Sequence, residues 1–334
     1  MSNDKSNRKK PAKAIIAVII LVIASIFGIN VADIIPTGSN ISSLPATIFE
    51  QKNDTQSESG VQEASGELFL TMIDVGQADS FLLVQDETVA LVDCGTRSTG
   101  KDVVEYLKGL GINKIDYVFG THPHDDHMGG MYDVITNFEI GKIILPKVES
   151  GKVTSNWYIK LMQEIKTGDY ELEYAKVGTT YGLGEAIIKV IGPISSPEDN
   201  LNNYSIVLKV SFGEMDVIMT GDAETEVEKE ILESGENIDA EILKVGHHGS
   251  NTSSSEEFID AISPDYALIS AKVGNKYEHP MESTMNKLES RYIEVYRTDE
   301  NGTVVATITS NDVSFSCEPG DYLSGKDLEK REAK

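Results

Sequence analysis

The sequence predicts an α/β (α+β) domain in which two sheets are covered by helices. Strand-like and helix-like stretches alternate between Glu67 and Cys317, and residues able to do chemistry stand in the loops where strand-like runs end. All six histidines fall in three short clusters, Thr121-His-Pro-His-Asp-Asp-His127, Gly246-His-His-Gly249 and Glu278-His279-Pro280. Total clustering of this kind is the pattern of a metal site, not of histidines scattered over a surface or core. Length and 40% apolar composition allow one large domain or two small ones, with a sizeable core.

The chain opens with a basic segment, residues 1–13, carrying Lys5, Arg8, Lys9, Lys10 and Lys13. Ala14 to Val31 follows without a charge. At about 1.5 Å per residue it reaches about 27 Å, enough for a thin bilayer. The basic flank belongs in the cytoplasm and the rest outside, so residues 14–32 are expected to be a single-pass transmembrane signal anchor. The alternatives are a signal peptide cleaved near Asn30-Val31-Ala32, which would release a secreted domain, and a buried core helix. Residues 33–66 are polar and aperiodic, and are expected to form a flexible tether.

The expected folded domain covers residues 67–318. Glu67 to Asp74, Ser80 to Gln85 and Thr88 to Asp93 read as strands. Val103 to Leu110 has helical spacing and stops at Gly111. Ile115 to Phe119 is a short buried strand that ends at the first histidine cluster, and Met128 to Phe138 is the expected helix after it, its N-terminus favouring anions. Further on, Ile206 to Ser211, Asp216 to Met219 and Ala240 to Val245 read as strands, the last leading into His247. Glu224 to Leu232, Glu256 to Ile262 and Met281 to Leu288 read as helices. Tyr266 to Ile269, Thr303 to Ile308 and Val313 to Cys317 complete the strands. Residues 319–334 form a charged tail that is expected to fray.

The net charge is −25, and because residues 1–32 are basic, the remainder is more acidic still. Acidity argues against tight nonspecific binding to a polyanion, yet leaves open a phosphate ester held by metal. Cys94 and Cys317 are too few for a disulfide scaffold, and Cys94, following a strand pattern, reads as a buried free thiol. Trp157, Tyr158, Tyr181 and Tyr204 lie in segments that either rim the site or pack the core.

The first cluster sets His122, His124, Asp126 and His127 within six positions, so imidazoles and a carboxylate converge from one loop. Such donors suit Zn, and also Mn or Fe. A dinuclear site needs roughly seven protein ligands, with a carboxylate bridging the cations. Asp222, in Thr220-Gly-Asp222, is the expected bridge, the other reading being a helix N-cap. Asp93 is expected to orient a ligand histidine by accepting its second ring proton, or else to be a turn residue before Gly95. Ser250, Asn251 and Thr252 either donate to a phosphoryl oxygen or cap their loop.

With these residues the chain resembles the metallo-β-lactamase superfamily, whose His-x-His-x-Asp-His hallmark is matched by His122, His124, Asp126 and His127. It is more similar still to the nuclease-like domain of the ComEC/Rec2-type competence proteins, over about Glu67 to Ser316. The stretches that carry this are Asp74-Val-Gly-Gln-Ala-Asp79, Leu91-Val-Asp-Cys-Gly95, Thr220-Gly-Asp222, Leu243-Lys-Val-Gly-His-His-Gly-Ser250 and Tyr277-Glu-His-Pro280. Arg297-Thr298 and Asn301-Gly302 continue it. Three departures stand out. Ala78 replaces a common Gly; with one hydrophobic segment at most, the family's membrane channel and a role in DNA transport are not expected; and no histidine lies between Gly129 and Gly221, where many members carry a lone ligand.

The resemblance implies an αββα four-layer sandwich. It places His122 and His124 on one metal, Asp126 and His127 on the other, Asp222 between them and His279 closing the second site. His247 is expected to fill the vacant place on the first metal, and His248 to act on substrate with Asp126 as the other catalytic group. The expected cofactors are two divalent ions, Zn or Mn. The implied function is a membrane-anchored, extracytoplasmic hydrolase, foremost a phosphodiesterase or DNase working through a metal-bridging hydroxide. The alternatives are a surface esterase for phosphorylcholine or teichoic-acid-like polymers, and an inactive surface binding module. The expected partners are a phosphodiester substrate and the membrane, with no defined protein partner.

Overall fold

The computed structural model describes residues 64–195 and 199–332. The expected anchor at 14–32 and the tether up to residue 63 lie outside the described residues. Among the described residues, no helix is long and apolar enough to cross a membrane.

Apolar side chains at every second position give each strand two faces, and here both are used. One sheet contains β1 (Leu68–Met72), β2 (Phe81–Gln85), β3 (Thr88–Val92), β4 (Lys114–Phe119), β5 (Glu139–Leu145) and β6 (Leu172–Tyr174), with β14 (Val304–Ile308) and β15 (Val313–Phe315) beside β1. The other runs from β7 (Thr180–Leu183) through β8 (Ala186–Gly192), β9 (Val207–Phe212), β10 (Met215–Met219), β11 (Ile242–Lys244) and β12 (Tyr266–Ile269) to β13 (Glu294–Arg297). Leu68, Leu70 and Met72 of β1 share one buried cluster with Leu208, Phe212, Val217 and Met219, which is the core between the sheets.

The opposite faces carry the helices. α1 (Gly100–Gly109), α2 (Asp125–Met128), α3 (Met131–Ile135) and α4 (Asn156–Thr167) follow the first sheet. Val103, Leu107, Val134 and Leu161 from these helices pack on Leu91 and Ile143. On the second sheet, α5 (Thr225–Ser234), α6 (Glu256–Ile262) and α7 (Glu282–Ser290) bury Val227, Ile231, Phe258 and Leu288 against Ile218 and Leu243. The order is therefore helix, sheet, sheet, helix.

Parallel pairing aims the carboxyl ends of strands one way. β3 runs parallel to β4, and β10, β11, β12 and β13 are parallel in succession. The loops that leave these ends carry Asp93, the first histidine cluster, Asp222 and the His247-His248 pair.

Two expectations change. The helix expected over Met128 to Phe138 is two short pieces, α2 and α3, separated at Gly129-Gly130. Cys94 N donates to His127 O at 2.7 Å, and a Cβ on Gly130 would stand 2.1 Å from Cys94 O. The chain is pressed so tightly onto the loop after β3 that a continuous helix with side chains there does not fit. His127 consequently lies inside α2, not ahead of a helix. The described part of the tail also carries a helix: after α8 (Thr298–Asn301), α9 (Gly325–Glu332) buries Leu328, and Arg331 pairs with Glu300 at 2.8 Å. Cys94 is a buried free thiol and Cys317 a half-buried one.

Candidate metal centre

Asp93, one residue past β3, adopts φ 61°, a conformation that costs an ordinary residue energy and that Asp tolerates better than most. The turn aims its buried carboxylate at the next strand's loop. It accepts from Thr121 N at 2.8 Å, from Thr121 Oγ1 at 2.7 Å and from His127 Nδ1 at 2.7 Å. A carboxylate only accepts, so Nδ1 of His127 carries the proton. Its Nε2 then faces Asp222 Oδ1, 3.2 Å away.

Asp222 stands at the tight turn after β10, where its N–H donates to Ser205 Oγ at 3.0 Å. Glu224, not Asp222, is the N-cap of α5, so the Asp222 carboxylate is free to face the histidines. Its oxygens lie 3.9 Å from His122 Nε2, 3.6 Å from His247 Nε2 and 3.8 Å from His248 Nε2. His122 is fully buried, with Nδ1 3.2 Å from Ser205 Oγ and Nε2 3.0 Å from His124 Nδ1.

The His247-His248 pair occupies a turn in which both residues have positive φ, 50° and 54°. This sends the rings different ways. His248 is buried and donates Nδ1–H to Ser270 O at 3.0 Å, leaving Nε2 3.7 Å from Asp126 Oδ2. His247 is partly exposed, with Nδ1 3.2 Å from Thr252 Oγ1 and 3.6 Å from Glu224 Oε1. The His279 ring centroid lies 5.5 Å from that of His247.

A cation fits this arrangement. His127 Nε2, Asp222 Oδ1 and His248 Nε2 are buried without a hydrogen-bond partner. Leaving such atoms unsatisfied costs about 1–3 kcal/mol each, and a divalent ion would satisfy all three. Two groups place their ligand atoms within 4.8 Å of one another, His122 with His127 and Asp222, and Asp126 with His127 and His248. A third, Asp79 with Asp93 and His127, is already committed to protein partners. His124, His247 and His279 fall outside these tight groups.

The sequence profile of the Metallo-beta-lactamase superfamily matches residues 73–271. The chain belongs to that superfamily. Among relatives, the metallo-β-lactamase domain is 32% identical to ComE operon protein 3 of Bacillus subtilis over 273 residues, covering 76% of this chain and 35% of that protein. It is 29% identical to Competence protein ComA of Neisseria gonorrhoeae, over 71% of this chain and 32% of that one. The chain thus spans about a third of the length of these relatives. CmlA, a diiron beta-hydroxylase from Streptomyces venezuelae, shares the fold with a TM-score of 0.51 at 15% identity, over 73% of this chain and 54% of that chain.

Charge in this metallo-β-lactamase centre is strongly polarised, as expected of a working site. Burial opposes a charged His127, but Asp222 and Asp93 outweigh it and hold its pKa well above the ordinary value. Burial alone would raise Asp222; His127 and His248 instead pull it well down. His122 goes the other way, lowered by burial and by neighbouring His127. Burial likewise lowers His279, to about 4. Against its burial, His248 is raised like His127, by Asp222 and Asp79, so buried cationic imidazoles face ionised carboxylates, and a metal bound here would displace those protons.

Sequence reasoning missed two members of the site. Asp79 and Lys244 are buried, and Lys244 Nζ lies 2.6 Å from Asp79 Oδ2 and donates to Gly221 O at 2.7 Å. Both stood in the stretches that carry the family resemblance, but a Lys in an apolar strand gives no sign of pairing with a residue 165 positions away. Of the four aromatics, Tyr181 is in the core between the sheets, and Trp157 and Tyr158 pack on the outer core. Tyr204 is buried beside Lys152, whose ammonium lies 5.4 Å from its ring centre.

Proposed function

We propose that this chain is a membrane-anchored, extracytoplasmic metal-dependent phosphodiesterase, with DNA or a cell-surface polymer as substrate. The observation that carries the reading is the convergence of His122, His127, His248, Asp126 and Asp222, with unpartnered buried nitrogens turned toward Asp222. Two divalent cations, Zn or Mn, would supply a lowered pKa for water and polarise a phosphoryl oxygen. Relatives named for competence favour the phosphodiester over other electrophiles. The uncharged stretch from Ala14 to Val31 behind its basic flank supports the anchor.

In this proposal His122, His127, Asp126, Asp222 and His248 hold metal, with His124 and His279 at the margins. Asp93 holds the His127 ring. The two adjacent histidines exchange the roles that the sequence implied. His248 has the geometry of a ligand, Nδ1 tied to a backbone carbonyl and Nε2 bare. His247, partly exposed and lowered in pKa by burial, faces substrate and handles a proton at Nε2.

The strong acidity of the chain favours a second reading, a surface esterase acting on a cationic phosphodiester such as phosphorylcholine. Hydrolysis of bis(p-nitrophenyl) phosphate and of linear DNA, with Zn or Mn and an Asp222→Ala control, tests both. Metal-dependent cleavage of both substrates supports the nuclease reading. Cleavage of the small diester alone supports the esterase. No turnover despite bound metal removes the phosphodiesterase and leaves another hydrolase or a binding module.

A further inference from the structure

We infer that Tyr277 and Lys276 form a subsite for single-stranded nucleic acid beside the metal centre, Tyr277 stacking a base and Lys276 holding a phosphate. The inference rests on the phosphodiesterase reading and supplies its substrate class.

The segment between β12 and α7 is a built turn, organised by one side chain. Asn275 Nδ2 donates to Lys272 O at 2.9 Å and to His279 O at 2.6 Å, while its Oδ1 accepts from Tyr277 N at 3.2 Å and His279 N at 3.0 Å. These four bonds fix what the turn presents. Tyr277 is 50% exposed, and its ring lies nearly parallel to that of His279, at 25° and 5.5 Å. His279 in turn stands 5.5 Å from His247, so Tyr277 is two rings from the histidine that faces Asp222. A half-exposed aromatic ring, held by its own backbone and stacked on a site residue, is a platform for a planar group.

The charge on the turn selects what stacks. Lys276 Nζ lies 4.6 Å from the Tyr277 ring centre, and its pKa is raised first by its hydrogen bond to Tyr277. Arg97 pairs with Asp125 and Lys326 with Glu278. Lys276, in contrast, has no carboxylate partner among the described residues. The Lys276 charge repels a quaternary ammonium head group at the Tyr277 ring. An aromatic base followed by a phosphate complements both residues. In so acidic a chain, this local pair is how a polyanion finds purchase near the site.

The test is fluorescence anisotropy of a labelled oligothymidylate with the purified, Zn-loaded full chain, for wild type, Tyr277→Ala, Tyr277→Phe and Lys276→Gln. Tyr277→Ala is expected to weaken binding about tenfold and Tyr277→Phe to bind like wild type. Lys276→Gln is expected to lower the slope of log affinity against log salt by about 0.7. Absence of binding by wild type, or wild-type affinity in a Tyr277→Ala variant that retains its zinc, overturns the inference. If Tyr277→Ala loses zinc, the exposed Lys276→Gln variant decides, and an unchanged salt slope overturns it. Turnover of bis(p-nitrophenyl) phosphate by wild type is scored separately: its presence without oligonucleotide binding sinks the subsite alone, and its absence with zinc bound sinks the phosphodiesterase reading.

Discussion

The ammonium of Lys244 lies 2.6 Å from the carboxylate of Asp79, and both side chains are cut off from solvent. The same Nζ is 3.8 Å from Asp222 Oδ1, so a fixed positive charge stands behind the carboxylate at the middle of the site. Burial opposes that charge, but Asp79 and Asp222 outweigh it and raise the Lys244 pKa. Replacing Lys244 by Met strands Asp79 as an uncompensated buried carboxylate and is expected to cost about 3–5 kcal/mol. Chemical unfolding measures it. The double variant Lys244→Met with Asp79→Asn should lose clearly less than the sum of the two single losses, because the pair acts as a unit. Strict additivity would show that the two groups do not stabilise each other.

Asp93 fixes His127 through Nδ1, and a metal held by Nε2 would depend on that hold. Asn at this position keeps the size but can offer an N–H where His127 needs an acceptor. Asp93→Asn is expected to weaken metal binding about 10- to 100-fold with the fold intact. Chelator competition followed by metal analysis gives the number. Equal affinity for both proteins would mean that His127 is not a ligand.

Where the regular structure was legible, the pattern behind it is local, but residues 139–192, which hold β5 to β8 and α4, were not read from the sequence. Glu256–Ile262 and Tyr266–Ile269 fall where their periodicity puts them, and the histidine clusters declare themselves by position alone. Other misses depend on distance. β13 (Glu294–Arg297) is too short and mixed to read as a strand, and forms by pairing with β12. The tail helix α9 looks polar throughout and is settled by one buried residue, Leu328. Lys244 and Asp79 meet only because two sheets bring the loop after β1 against β11. The divergence of the His247 and His248 rings follows from two positive φ angles, which no pattern of side chains announces.

Glu228 of α5 ties that helix to the loop following the His247-His248 turn. Its buried carboxylate accepts from Ser254 N and, at 2.9 Å, from Ser255 N. Burial raises its pKa, only partly offset by these bonds and by Lys287. The sign follows: the folded chain binds this proton more tightly than the unfolded one, so the stability linked to it is present below the ordinary value of 4.5 and is lost as pH rises through the folded value. Glu228→Gln cannot titrate. Unfolding free energies from pH 4 upward should therefore show wild type losing ground relative to Glu228→Gln. A constant difference between the two would mean that the carboxylate is not raised.

His247 and His248 are adjacent in sequence yet separable by experiment. If His248 Nε2 holds metal with Asp126 and His127, then His248→Ala removes one ligand of a three-residue group. Metal content should fall, and with it the thermal stabilisation that added Zn gives the wild type. His247 has Nε2 3.6 Å from Asp222 but is partly exposed and outside the tight groups. His247→Ala should keep its metal and lose turnover, by about 100-fold or more if the ring moves a proton in the rate-limiting step. The opposite outcome, metal lost from His247→Ala and kept by His248→Ala, would restore the assignment that the family pattern implies. The two readings thus differ in metal stoichiometry, which is measured without any substrate.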